Sequence, residues 1–229
     1  MRFIAVFFSF FFISQVNALE PFSAHYTLYF KGVEIGKGVR RLSKKADHYL
    51  FESQAHSTGF AAMLYKAKIL ETSTFKWLDK QFIPVHYRYD YQTKKRTKQM
   101  DITFDWHKKQ AENHSASQPW QVGIKEGVSD KLLYQLQVMQ DLAVGKRDLS
   151  YVVADKGKLK SYQPAFLGEE KVKTGVGELN TLKYRYVSEN KKRSTTLWCA
   201  PKFQYLPVRV EHIEKGDSLE MRLQQVEGL

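Results

Sequence analysis

Apolar and polar residues alternate with a period of two along most of the chain, the signature of strands with one buried and one solvated face. In "PFSAHYTLYF", Phe22, Ala24, Tyr26, Leu28 and Phe30 fall on one face while Ser23, His25, Thr27 and Tyr29 fall on the other. "KGVEIGKG" follows as glycine-rich punctuation, and "IGKGVRRLS" enters a second strand, which predicts a hairpin. "HYLFESQAHS", "KAKILETSTFKW", "PVHYRYDYQ" and "QMDITFDW" continue the series, with "KKRTK" (94–98) as the turn between the last two. "HKKQAENHSASQPW" is polar and turn-rich, with room for one short strand. Strands resume at "DLSYVVAD", "KLKSYQP", "EEKVKTG", "LNTLKYRYVS", "STTLWCA", "LPVRVEHIE" and "SLEMRLQQVE". "DKGK" and "EKGD" have the composition of tight hairpin turns, and "SENKKRS" of a longer one.

One segment has a different period. Within "SDKLLYQLQVMQDLAV" (129–144), Leu132, Leu133, Leu136, Met139, Leu142 and Ala143 lie on one side of a helix. Ser129 is the expected N-cap, Asp130 suits the first turn, and Gly145 supplies a stop. So wide an apolar stripe requires a partner surface, and the concave face of the sheet is the one on offer.

No fixed-period repeat and no low-complexity linker divides the chain. A dozen or so strands with one helix therefore predict a single mainly β domain over 19–229. The expected architecture is a strongly curved antiparallel sheet or a partly closed β-barrel, lipocalin-like or lipoprotein-carrier-like, with one amphipathic helix around residues 130–144. A turn about Gly216 and Asp217 would set Glu211 opposite Arg222 and Val210 opposite Leu223 in the last hairpin. Arg209, Glu211, Glu220 and Arg222 then form a charge ladder on its solvent face, with Pro207 opening the strand.

The N-terminus alters where this domain is expected to work. Met1 and Arg2 precede the apolar run "FIAVFFSFFFI", and in "SQVNA" Val16 and Ala18 fit the small-residue positions before a cleavage point. Residues 1–18 thus read as a secretory signal peptide. The run is shorter than the ~20 residues of a membrane span, so no transmembrane helix is expected in the mature chain. A periplasmic protein is the expectation, with secretion as the alternative.

Charge and cysteine usage then narrow the partners. The whole chain has 36 basic and 24 acidic residues, a net charge of +12, and losing Arg2 with the signal leaves +11. Export makes nucleic acid an improbable partner for this charge and leaves lipid head groups, lipopolysaccharide or peptidoglycan carboxylates, or a merely solvated basic surface. Cys199 is the only cysteine, so no internal disulfide can form, and a buried apolar filler beside Trp198 is the expected role.

Catalytic signatures are missing: there is no Gly-x-Ser-x-Gly elbow, Walker loop, dinucleotide fingerprint or His-Glu-x-x-His. The seven histidines are dispersed, and His107 and His114 are too far apart to argue for a metal. Glu169 and Glu170 are adjacent, so on a strand they point to opposite faces. No catalytic, cofactor or metal residues are assigned. The richest aromatic element is "VHYRYDYQ", where Val85, Tyr87, Tyr89 and Tyr91 share a face. Such a stripe either lines a pocket or packs on the helix. Tyr87, Tyr89 and Tyr91, with Trp198, are the candidate ligand-binding residues.

"FSAHYTLYFKGVEIGKG", the helix starting near Asp130, Gly168-Glu169-Glu170, Gly175 and Gly177, and Trp198 with Leu206-Pro207-Val208-Arg209-Val210 resemble the exported bacterial proteins of domain-of-unknown-function family 3108. Cys199 after the tryptophan is a departure. The resemblance implies an envelope location and a β-rich fold, and carries no catalytic residues. The leading expectation is a non-enzymatic periplasmic protein binding an apolar or amphipathic cell-envelope molecule, a lipid or other amphiphile, in a sheet-plus-helix groove. An envelope-integrity protein binding another protein is the alternative, and a hydrolase with a dispersed site is the third.

Overall fold

In the computed structural model, residues 19–115 and 118–229 are described. The expected signal peptide, residues 1–18, lies outside them. The chain runs β1 (Phe22–Phe30), β2 (Val33–Lys44), β3 (Tyr49–Ser57), α1 (Gly59–Leu64), β4 (Ala67–Leu78), β5 (Gln81–Thr93), β6 (Thr97–Asp105), β7 (Gln110–Asn113), β8 (Trp120–Gly123), β9 (Val128–Ser129), α2 (Tyr134–Ala143), β10 (Tyr151–Asp155), β11 (Lys158–Tyr162), β12 (Ala165–Thr174), β13 (Gly177–Val187), β14 (Arg193–Ala200), a 3-10 turn at Pro201–Phe203, β15 (Leu206–Glu214) and β16 (Asp217–Glu227).

Thirteen strands form one antiparallel sheet in the order β12-β13-β14-β15-β16-β1-β2-β3-β4-β5-β6-β7-β8. Its edges, β12 and β8, do not pair with each other, so the sheet curls without closing into a barrel. Antiparallel pairing sends successive turns to alternate ends. One end, the upper rim, collects the β1–β2, β3–β4, β5–β6, β13–β14 and β15–β16 connections. The Lys31 N–H donates to Ser218 O and the Lys215 N–H to Lys192 O across that rim.

The expected alternation holds in β1, where Phe22, Ala24, Tyr26 and Leu28 are buried and Phe30 emerges at the rim. Three tight turns share one device, a lysine and a glycine both at positive φ: Lys31-Gly32, Lys156-Gly157 and Lys215-Gly216. That pair of conformations matches the twist of the flanking strands. It also corrects the register of the last hairpin. With Lys215 and Gly216 as the loop, Glu214 pairs with Asp217, so Arg209 stands opposite Arg222, Glu211 opposite Glu220 and Val210 opposite Met221. Opposite charges meet diagonally instead: the buried Glu220 carboxylate lies 2.6 Å from both Arg209 Nε and Arg222 Nε.

The glycine-rich stretch after β1 is narrower punctuation than its composition suggests, because Gly36 and Gly38 lie inside β2. The polar segment 107–120 contains β7 and reaches the start of β8. A second helix, α1, occupies the β3–β4 connection, where no period had pointed to it.

β9 and β10 pair in parallel and β11 completes a small second sheet. Parallel neighbours need a long crossover, which α2 provides. Its start differs from expectation: Ser129 belongs to β9, and the Asp130 carboxylate accepts the Leu132 and Leu133 N–H groups at 2.8 and 2.7 Å. A turn at 131–133 then leads into the helix, and Gly145, at φ +85°, ends it. Leu136 and Met139 belong to one buried cluster with Phe22, Phe51 and Phe75 of β1, β3 and β4. Val138 and Leu142 pack with Leu182, Leu197, Cys199 and Val210 of β13–β15. With both arms of the curled sheet packed on it, α2 is an interior plug. Each such side chain contributes about 1.5–3 kcal/mol relative to exposure.

Candidate functional site

The inner face of the sheet divides into a dry part and a polar part. Asp130 is fully buried, and Ser73 of β4 donates to its Oδ2 at 2.6 Å. Burial pushes the Asp130 carboxyl up to about 7 against the hydrogen bonds that favour ionisation. Glu71, two residues along β4, is also raised by burial, with the Tyr87 hydroxyl donating to it at 2.5 Å. Both Asp130 oxygens are engaged in holding the helix start and β4 together, which makes the pair a structural lock.

Above this layer, four tyrosines from four elements converge: Tyr89 of β5, Tyr134 of α2, Tyr162 of β11 and Tyr186 of β13 line one cleft of ≈690 Å³. Tyr162 stacks on Tyr186 with ring centroids 4.5 Å apart and meets Tyr134 edge-on at 5.2 Å. Burial pushes the Tyr134 hydroxyl up to about 12 and raises Tyr162 and Tyr186, so all three are neutral donors. Lys131, Lys160 and Arg193 stand in the same wall. Lys131 and Lys160 share the Asp155 carboxylate; burial opposes its ionisation, but the two ammonium groups outweigh burial and hold it below the usual carboxylate range. Arg193 Nε pairs with Glu214 at 2.9 Å. His212 is lowered by burial, with its Nδ1 3.0 Å from Thr195 Oγ1. The walls are thus aromatic faces and hydroxyl donors beside cations already paired with Asp155 and Glu214, a set that stacks on ring faces and hydrogen-bonds to hydroxyl and anionic oxygens. The cleft opens at the upper rim, where Ser188, Glu189 and Asn190 of the β13–β14 turn form its lip.

The four sequence-selected residues part company. Tyr87 is a core residue, 1% exposed. Tyr89 lines the cleft. Tyr91 sits at the rim, its hydroxyl hydrogen-bonded to that of Tyr65 beyond α1. Trp198 is buried on the opposite face of β14, beneath the Arg209 guanidinium at 4.3 Å and the Lys183 ammonium at 5.0 Å, and does not line the cleft. Tyr134, Tyr162 and Tyr186 were not found from the sequence. One signal was present: "HYRYDY" (86–91) and "KYRYVS" (183–188) both run up to the rim, each placing a deep tyrosine (87, 184) and a cleft tyrosine (89, 186) at alternate positions.

A second cleft, ≈990 Å³, lies at the lower end among the β4–β5 turn, the β6–β7 turn and residues 124–127. Phe82, Ile83, Val85, Phe104, Trp106 and Ile124 give it a largely apolar wall. Cys199 is buried, and burial pushes its thiol up to about 12. Among the described residues, no group of three or more His, Cys, Asp or Glu is placed to hold a metal ion, and no helix is long and apolar enough to cross a membrane.

Fold and site define a mainly β protein with a large open antiparallel sheet curled around a helix, and a tyrosine-walled cleft at one rim. The profile of the family described as "Protein of unknown function (DUF3108)" matches residues 25–224, and the chain belongs to that family. The structure is similar to that of a beta-barrel-like protein of domain of unknown function DUF1849 from Brucella abortus, with a TM-score of 0.63 over 91% of this chain and 98% of that one. At 9% identity the likeness is one of fold. No curated protein matches the sequence.

Proposed function

We propose that the protein is a non-enzymatic periplasmic binding protein that takes the head group of an amphipathic envelope molecule in the upper cleft. The observation carrying this reading is the convergence of Tyr89, Tyr134, Tyr162 and Tyr186 with Lys131, Lys160 and Arg193 around one opening. Its volume lies within the ~300–1,000 Å³ of small-molecule sites. Because α2 fills the space beneath the sheet, the site suits a hydroxyl-rich anionic head group better than an engulfed acyl chain. A protein-binding role is the second reading, supported by the free edge of β12, where Phe166 and Leu167 are each 48% exposed.

The test is gentle purification from the native compartment followed by native mass spectrometry and lipid extraction. A stoichiometric anionic amphiphile is expected, lost in Tyr186→Ala and Lys160→Gln and kept in Ile83→Ser of the lower cleft. If Ile83→Ser alone empties the protein, the lower cleft is the site. A protein that is empty while a known lipid carrier keeps its cargo under the same handling would transfer the case to the protein-binding reading.

A further inference from the structure

The β3–β4 connection is built against the usual rule of burial. α1 is a short helix with no buried residue, and its Phe60, Met63 and Leu64, spaced to share one face, are 72%, 73% and 70% exposed. Tyr65 follows at 56%. Single exposed apolar residues are ordinary, but four within six positions at one rim form a patch that calls for a partner. Val33, 67% exposed at the tip of the neighbouring β1–β2 hairpin, belongs to the same end: the Thr58 N–H just before α1 donates to Ile35 O.

The surroundings of the patch say which partner. Ala67 pairs with Thr93, so the β5–β6 turn with Lys94, Lys95 and Arg96 stands beside the exit of α1, where Lys66 is also exposed. None of these four cations has an ion-pair partner among the described residues, whereas Lys31 and Arg193 on the same rim are paired with Asp217 and Glu214. Apolar side chains at the tip, tyrosine at their base and unpaired cations beside them are the arrangement that inserts into a bilayer interface bearing anionic lipid.

We infer that the upper rim docks on an anionic membrane surface, with Phe60, Met63 and Leu64 entering the interface and Lys66, Lys94, Lys95 and Arg96 over the head groups. Tyr65 joins this surface to the cleft through its hydrogen bond to Tyr91, two residues from Tyr89. Docking would therefore turn the cleft mouth toward the lipid head groups, though the inference stands on the rim alone and does not depend on the cleft being a binding site.

Cosedimentation of the purified protein with phosphatidylethanolamine–phosphatidylglycerol vesicles, beside pure phosphatidylcholine vesicles, tests it. Binding to the anionic vesicles that weakens with salt is expected. Replacing Lys94, Lys95 and Arg96 with Ser should lower partitioning roughly a hundredfold, and Phe60→Ser with Leu64→Ser by at least about tenfold. All five positions are exposed, and unchanged urea midpoints would establish that the variants fold. Tyr186→Ala should leave vesicle binding intact, so failure of the cleft and failure of the rim are read separately. The inference is overturned by absence of binding, by equal binding to both vesicle types, or by a concentration-dependent dimer that Phe60→Ser dissociates, which would assign the patch to a second copy of the chain.

Discussion

The hydroxyl of Ser73 on β4 donates to the carboxylate of Asp130 at 2.6 Å, and the other oxygen of that carboxylate caps the approach to α2. One fully buried side chain therefore fixes the interior helix to the sheet that encloses it. Asp130→Ala is expected to cost about 2–4 kcal/mol in urea unfolding, because it removes the cap and leaves the Leu132 and Leu133 N–H groups without their acceptor in a dry site. Asp130→Asn, which keeps an acceptor oxygen, should cost less than half of that.

The same residue makes stability depend on pH. Burial raises the Asp130 carboxyl to about 7 in the folded chain, well above its ordinary value of 3.8. The folded state then binds the proton more tightly than the unfolded state, so the contribution is fully present below about pH 4 and is lost as pH rises through about 7. Wild type should lose stability relative to Asp130→Asn between about pH 4 and about pH 7, by at most on the order of 4 kcal/mol. Parallel pH profiles of the urea midpoint for the two proteins would show that Asp130 stays ionised throughout.

Tyr87 and Tyr89 should separate in their effects although both lie on one face of β5. Tyr87→Ala empties a core site and is expected to cost about 3–5 kcal/mol, and Tyr87→Phe about 1–2 kcal/mol through loss of the bond to Glu71. Tyr89→Ala, at a half-buried cleft position, should change the urea midpoint little and weaken ligand retention. Equal stability losses for the two alanine variants would place Tyr89 in the core instead.

Gly175 lies where the β12–β13 turn touches β16. Its N–H donates to Leu223 O at 2.8 Å beside the bulge at Gln224, and a Cβ there would stand 2.6 Å from Gln224 Cα. Gly175→Ala should destabilise by roughly 1–3 kcal/mol. Hydrogen exchange should locate the loosening in β12 and β13, and uniform protection with an unchanged midpoint would mean the turn yields freely.

Cys199 is buried in one hydrophobic cluster with Val138 and Leu142 of α2. With its thiol pushed up to about 12 by burial, it should resist a thiol reagent in buffer and label promptly in denaturant. Cys199→Ala should cost only about 1 kcal/mol. Fast labelling of the native protein would expose a reactive thiol that this packing does not provide for.

The order of apolar and polar residues was enough to say which faces are buried. Period-two alternation marked most strands of the large sheet, and the stripe from Leu132 to Leu142 marked α2, because each is set by the local geometry of one element. It did not determine register in the last hairpin, where choosing Lys215-Gly216 over Gly216-Asp217 as the loop moves every partner by two positions. Nor did it mark α1, whose six residues are too few for the spacing of Phe60, Met63 and Leu64 to stand out as a period.

The cleft depended on tertiary structure altogether. Tyr89, Tyr134, Tyr162 and Tyr186 lie on four elements and meet only because the sheet curls and α2 crosses inside it, whereas Trp198, equally aromatic in the sequence, falls on the other face of its strand. A side chain's face follows from its neighbours along the chain, and its companions in space follow from curvature, register and bulges. Those are fixed by contacts such as Ser73 with Asp130 and Gly175 with Leu223, between residues far apart in sequence.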